Sequence, residues 1–145
     1  SALAADLGRE IDLRRDIAGI QDLERSLLVT TQATLDGLGD ELAGPIDLRR
    51  FRPNLHLDLD APAWAELEWE GLEMHFSGGV KLRLLHPCER CAIPTRHPDT
   101  QVKWPHLLRH LHATHQQCFG INARVLSGGR IGEGEAVEIV SPSGL

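Results

Sequence analysis

Short runs of alternating apolar and polar residues fill most of this chain, and they restrict the folds open to it. Leu55-His56-Leu57-Asp58-Leu59-Asp60, Leu72-Glu73-Met74-His75-Phe76 and Val80-Lys81-Leu82-Arg83-Leu84-Leu85 each send every second side chain to one face, the pattern of a half-buried strand. Ile11-Asp12-Leu13-Arg14-Arg15 reads in the same way. Residues 26–31, 118–126 and 136–140 read as further strands, the first a short, partly β-branched apolar run. Two helices are expected between them. Thr31 is suited to cap one, with Leu35, Leu38 and Leu42 on a single face and Gly44-Pro45 as its end. The other spans 104–115, with Pro105 in the first turn and Leu107, Leu108 and Leu111 together. Residues 1–9 read as a short helix or entry segment, 17–24 as a loop, 64–69 as one helical turn or an irregular link, and 141–144 as a tail. Ser77-Gly78-Gly79 and Gly128-Gly129 read as a bend and a turn. About eight short strands with Gly/Pro turns, and no regular strand–helix alternation, point to a barrel or a curled, mostly antiparallel sheet.

A chain of 145 residues, 41% of them hydrophobic and 25% charged, can build one core as a single domain. Its net charge of −6 argues against a broad nucleic-acid surface. No apolar run reaches the roughly 20 residues of a membrane span. Three cysteines are too few for a disulfide scaffold, so a reduced, cytoplasmic setting is expected.

Those cysteines lie in two places, Cys88-Glu89-Arg90-Cys91 and Cys118. A zinc reading would use Cys88, Cys91 and Cys118, with His115 or one of His106, His110 and His112 as a fourth ligand. A redox reading of the C-x-x-C pair would need a strand feeding a helix, whereas Ile93-Pro94-Thr95 looks extended. The plain reading is that Cys88 and Cys91 are small buried hydrophobes on a strand.

A second constellation suits an anion. Arg49, Arg50 and Arg52 crowd together before Asn54, and arginine presents a planar fork of donors that fits phosphate. Thr30, Thr31 and Thr34 add hydroxyls beside an expected helix N-terminus, where free N–H groups favour an anion. The alternative is a solvated basic patch plus a helix cap. Of eight histidines, four crowd residues 106–115, and they read as surface residues without a catalytic role.

Taken in order, these pieces resemble the MOSC domain, the C-terminal module of molybdenum cofactor sulfurases and the core of amidoxime-reducing molybdoenzymes. The resemblance rests on Leu7-Gly8-Arg9 with Leu13-Arg14, on Leu28-Val29-Thr30-Thr31-Gln32-Ala33-Thr34-Leu35, and on Arg50-Phe51-Arg52-Pro53-Asn54-Leu55. It continues through Pro87-Cys88-Glu89-Arg90-Cys91, Pro98-Asp99-Thr100, Cys118-Phe119-Gly120-Ile121-Asn122 and Gly134-Glu135-Ala136-Val137. The chain departs from the family pattern at Gln101, where glycine is common, and at Glu135, where the family has Asp.

The resemblance implies a twisted β-barrel with two or three peripheral helices, formed by residues 1–145 as one MOSC domain, with excision from a longer protein that has an N-terminal β-rich domain as an open reading. It implies a molybdenum–pterin cofactor, with Cys118 as the thiolate on the metal, and Arg52, Asn54, Thr31 and Thr34 at the pterin phosphate. The activity implied is reduction of N-hydroxylated or S-oxidised substrates by oxygen-atom transfer, with electrons from a ferredoxin- or flavoprotein-like partner. The alternative is a sulfur carrier. There Cys118, or Cys91 as second choice, would take persulfide sulfur from a cysteine desulfurase whose pyridoxal phosphate belongs to the partner. No nucleic-acid or membrane partner is expected.

Overall fold

The computed structural model describes residues 11–13 and 26–142. The expected entry helix at 1–9 and loop at 17–24 lie outside the described residues, as does the end of the tail. The strands are β1 (Ile11–Leu13), β2 (Leu27–Thr31), β3 (Leu55–Leu57), β4 (Glu73–Phe76), β5 (Lys81–Glu89), β6 (Cys118–Ser127), β7 (Gly129–Ile131) and β8 (Val137–Val140). Two α-helices, α1 (Gln32–Glu41) and α2 (Pro105–His115), and three 3-10 turns (Leu48–Arg50, Ala65–Glu68 and Ile93–Thr95) complete the described elements. Six strands form one curled half-barrel in the order β3-β2-β6-β5-β4-β8, and β1 pairs with β7 beside it. All pairings are antiparallel except β2 with β3. The expected fold class therefore holds. No helix among the described residues is long and apolar enough to cross a membrane.

Three boundaries differ from expectation, each for a physical reason. β3 stops at Leu57 instead of continuing to Asp60, because its partner β2 leaves the sheet at Thr31 to become α1. β5 runs on through His86-Pro87-Cys88, although proline cannot donate to a ladder. It does so because the β5–β6 register is irregular on both sides of Pro87. The expected Gly128-Gly129 turn is cut short, since Gly129 opens β7 opposite Leu13.

The core has two halves. Val29, Leu55, Leu57, Met74, Phe76, Leu82, Leu84, Ile121 and Ala123 fill the hollow of the sheet. Leu35, Leu38, Phe51, Leu107, Leu111 and Phe119 form a second cluster under the two helices. β6 feeds both, and Gly120 separates its two contributions. That glycine has φ +81, and a Cβ there would lie 2.8 Å from Leu28 Cδ1 and 2.9 Å from the Val29 carbonyl oxygen. Only glycine meets both constraints without strain. Gly120→Ala is expected to lower stability by about 2 kcal/mol in chemical denaturation; a change under about 0.5 kcal/mol, the range of neutral surface substitutions, would contradict this packing.

Candidate functional site

Cys118 opens β6 directly opposite Glu89, the last residue of β5, so the strand pairing itself sets it beside Cys88. Both thiols are half-buried, whereas Cys91 is exposed just beyond the end of β5. Arg90 ties this corner to the rest of the chain. Its Nη1 donates to Cys88 Sγ at 3.2 Å and its Nη2 to the Phe51 carbonyl at 3.0 Å. The guanidinium lies 5.5 Å from the centroid of the Phe51 ring. The backbone on either side is held too, because Gln117 Nε2 donates to the Arg90 carbonyl and the Arg90 N–H donates to the Gln117 carbonyl. Arg90 Nε is buried and has no hydrogen-bond partner among the described residues. A buried donor left unpaired typically costs about 1–3 kcal/mol, so it suits an acceptor brought by a ligand.

Burial pushes the Cys118 thiol above its ordinary range, and the nearby Glu89 and Cys88 push it further. Its Sγ–H donates to the Gln116 carbonyl at 3.4 Å. Left to itself, this thiol stays protonated near neutral pH. A bound metal cation would reverse that preference, since coordination deprotonates a thiol outright.

The arginines form a cleft of about 330 Å³ lined by Arg49, Arg50, Arg52, Arg96, Ile93 and Gln101, with Pro98 at its edge. Two of them are already engaged. Arg49 bridges Asp47 and Asp99 at 2.7 and 2.9 Å. Arg50 donates to the Pro94 carbonyl at 3.0 Å and lies over Trp104. The guanidinium groups of Arg52 and Arg96 have no hydrogen bond or ion pair among the described residues, and both side chains are exposed. Arg52 itself has φ +53, a left-handed turn just before Pro53. Asn54 clamps the start of β3 to β2: its Oδ1 accepts the Leu28 N–H at 2.7 Å and its own N–H donates to the Leu28 carbonyl.

Thr31 and Thr34 do not share this cleft. Thr31 caps α1 as expected, its Oγ1 accepting the Thr34 N–H at 3.2 Å. Both hydroxyls then point inward to the fully buried Glu66: Thr34 Oγ1 donates at 2.8 Å and Thr31 Oγ1 at 3.3 Å. The acidic group that meets these hydroxyls is thus a side chain of the chain's own. Thr30 is likewise satisfied, bonded to His56 Nδ1 at 2.8 Å. The structure therefore groups Arg52 with Arg49, Arg50 and Arg96, brings Cys118 to Cys88, and keeps Thr31 and Thr34 apart from both groups. The three cysteines do not form a metal-binding cluster; among the described residues, only Glu41, His110 and His115 bring three ligand atoms within 4.8 Å of one another. Sequence reasoning missed Arg90, Glu66 and Arg96. An arginine inside the C-x-x-C segment was the one visible signal.

The sequence pattern of the MOSC domain matches residues 14–138. This chain belongs to the MOSC domain family. Among solved structures, the domain is similar to the YuaD protein from Bacillus subtilis, with a TM-score of 0.63 and 18% identity. The match covers 81% of this chain, which spans 64% of the length of that one. At that identity the likeness speaks for the fold alone. No curated protein matches the chain.

Within the MOSC domain, Glu66 makes a direct prediction. Desolvation raises its pKa, although bonds from Thr34, its own backbone and Thr31 act the other way. The folded state therefore binds a proton more readily than the unfolded one. Its stabilising contribution is complete below the ordinary carboxyl range and is lost as pH rises through the elevated folded value. Glu66→Gln, which removes the charge, should flatten this part of the stability–pH curve. Denaturation measured from pH 4 to 8 checks it: an unchanged slope would contradict the buried carboxylate.

Proposed function

We propose that this MOSC domain binds a molybdenum–pterin cofactor, with Cys118 Sγ as the thiolate on the metal and the arginine cleft at the phosphate end. The observation that carries the reading is the Arg90 bridge. One guanidinium spans the Cys88 sulfur and the Phe51 carbonyl, and so joins the thiol corner to the Arg50-Phe51-Arg52-Pro53-Asn54 segment. The donor chemistry fits the group. A thiolate is a soft ligand suited to a transition metal; among the described residues, Arg52 and Arg96 are uncommitted cations and Arg90 Nε is a buried donor without an acceptor.

In this reading Arg52 and Arg96 bind the phosphate, and Asn54 acts by clamping the loop that carries Arg52 to Leu28. Thr31 and Thr34 act at one remove, fixing Glu66 and the start of α1. Cys118 releases its Sγ proton to solvent on ligation, and the next residue, Phe119, is fully buried against Phe51. When bound, the molybdenum centre would supply oxygen-atom transfer, the chemistry that reduces N-hydroxylated or S-oxidised substrates with electrons from a ferredoxin- or flavoprotein-like partner. The sulfur-carrier reading is less well supported. Attack on a sulfur donor needs a thiolate, and burial together with the neighbouring Glu89 and Cys88 disfavours one at Cys118.

Elemental analysis of protein purified from a cofactor-producing host tests this. Molybdenum should accompany the wild type, fall by at least about tenfold in Cys118→Ala, fall less in Arg52→Ala, and stay unchanged in Cys91→Ala. Full molybdenum retention in Cys118→Ala would overturn the proposal.

A further inference from the structure

On the other side of Phe119 from the thiols, three side chains converge on one point. His110 Nε2 lies 2.7 Å and His115 Nε2 lies 2.8 Å from the same oxygen, Glu41 Oε1. Glu41 is the last residue of α1, whereas both histidines belong to α2. The convergence is built in place. Trp64 stacks on the His115 ring with centroids 3.4 Å apart and planes 15° from parallel. The same indole donates its Nε1–H to Glu41 Oε2 at 2.9 Å, which leaves Oε1 as the oxygen facing both imidazoles. Trp64 is itself held at φ +69, an uncommon conformation for a bulky residue, and its N–H is taken by Thr34 Oγ1 at 2.6 Å. The three side chains keep 17%, 17% and 29% of their surface, so they are sheltered but reachable from solvent.

The geometry points to a divalent transition-metal site, of which zinc is the natural occupant, formed by His110 Nε2, His115 Nε2 and Glu41 Oε1. Two imidazoles and a carboxylate form a donor set that zinc takes readily, with a fourth position open to water. Tetrahedral bonds of about 2.0–2.1 Å place neighbouring ligand atoms roughly 3.3 Å apart. The two imidazole–carboxylate separations need to widen by only about 0.5 Å, and all three ligand atoms already lie within 4.8 Å of one another, so small χ adjustments complete the set. Each imidazole then carries its proton on Nδ1 and offers the Nε2 lone pair. The Trp64–Glu41 bond orients the carboxylate from behind, as outer partners of metal ligands do. The ion would clamp the end of α1 to α2 and to Trp64, whose ring also meets Phe119 edge-on at 5.9 Å. Phe119 follows Cys118 directly, so the clamp would stiffen the wall behind the thiol. The site shares no residue with the thiol corner or the arginine cleft and does not depend on the proposed cofactor.

Titration of the metal-free full chain with zinc chloride by calorimetry tests the inference. One equivalent should bind, with a rise in Tm. Glu41→Gln and His110→Ala should each weaken binding at least tenfold while circular dichroism stays native. The triple replacement Cys88→Ser, Cys91→Ser, Cys118→Ser should leave the affinity unchanged, and His106→Ala, one turn earlier on α2, should change it little. With cobalt(II) in place of zinc, the spectrum should show d–d bands without strong thiolate charge transfer. Absence of binding, unchanged affinity in both Glu41→Gln and His110→Ala, or a thiolate charge-transfer band would overturn the site.

Discussion

The guanidinium of Arg90 sets the geometry on which the rest of this MOSC domain's site depends. It donates to a sulfur on β5 and to a carbonyl 39 residues earlier in the chain, and it covers the aromatic ring between them. Bonds from a charged donor are worth more than neutral ones, and a group with one face against an aromatic ring has little freedom to swing away. The loop that carries Arg52 and Asn54 is anchored at both ends as a result. Arg90 holds Phe51, and the paired bonds to Leu28 hold Asn54. Between these anchors the chain turns through the left-handed conformation of Arg52, which leaves that side chain exposed at the rim of the cleft.

Much of the fold was legible from local pattern. Alternation located β3, β4 and the first part of β5, the threonine cap marked the start of α1, and Pro105 marked the start of α2. Features that depend on a distant partner were not legible. β3 ends early because β2 turns into a helix, and β5 continues through Pro87 because the opposing register slips there. β7 is a strand only because β1 lies beside it. The candidate site divides in the same way. Arg52, Asn54 and Cys118 could be singled out by residue type and order, whereas Glu66 meets Thr31 from 35 residues away and His115 meets Glu41 from 74. Such pairings leave no trace in composition or spacing. The buried Glu66 also changes how the threonines read, since hydroxyls that looked ready for a phosphate are committed to a carboxylate inside the fold.

One aromatic series runs through the second core cluster and connects these parts. Phe51 stacks on Phe119 with centroids 3.7 Å apart, Phe119 meets the edge of Trp64, and Trp64 stacks on His115. The arginine-bearing loop, the strand that opens with Cys118 and the cluster at the ends of the two helices therefore rest against one packed row. Interiors at this density transmit small displacements instead of absorbing them. A change at either end of the row would be felt at the Cys118 wall.

The central claim is that Cys118, and not the more conspicuous C-x-x-C pair, is the thiol that meets the metal. X-ray absorption at the molybdenum edge addresses it directly, using cofactor-loaded wild type beside the Cys118→Ser variant reloaded with the same cofactor. The account predicts a sulfur neighbour in the wild type, beyond those of the pterin, that is missing in the variant. An identical sulfur count in the two proteins would contradict it.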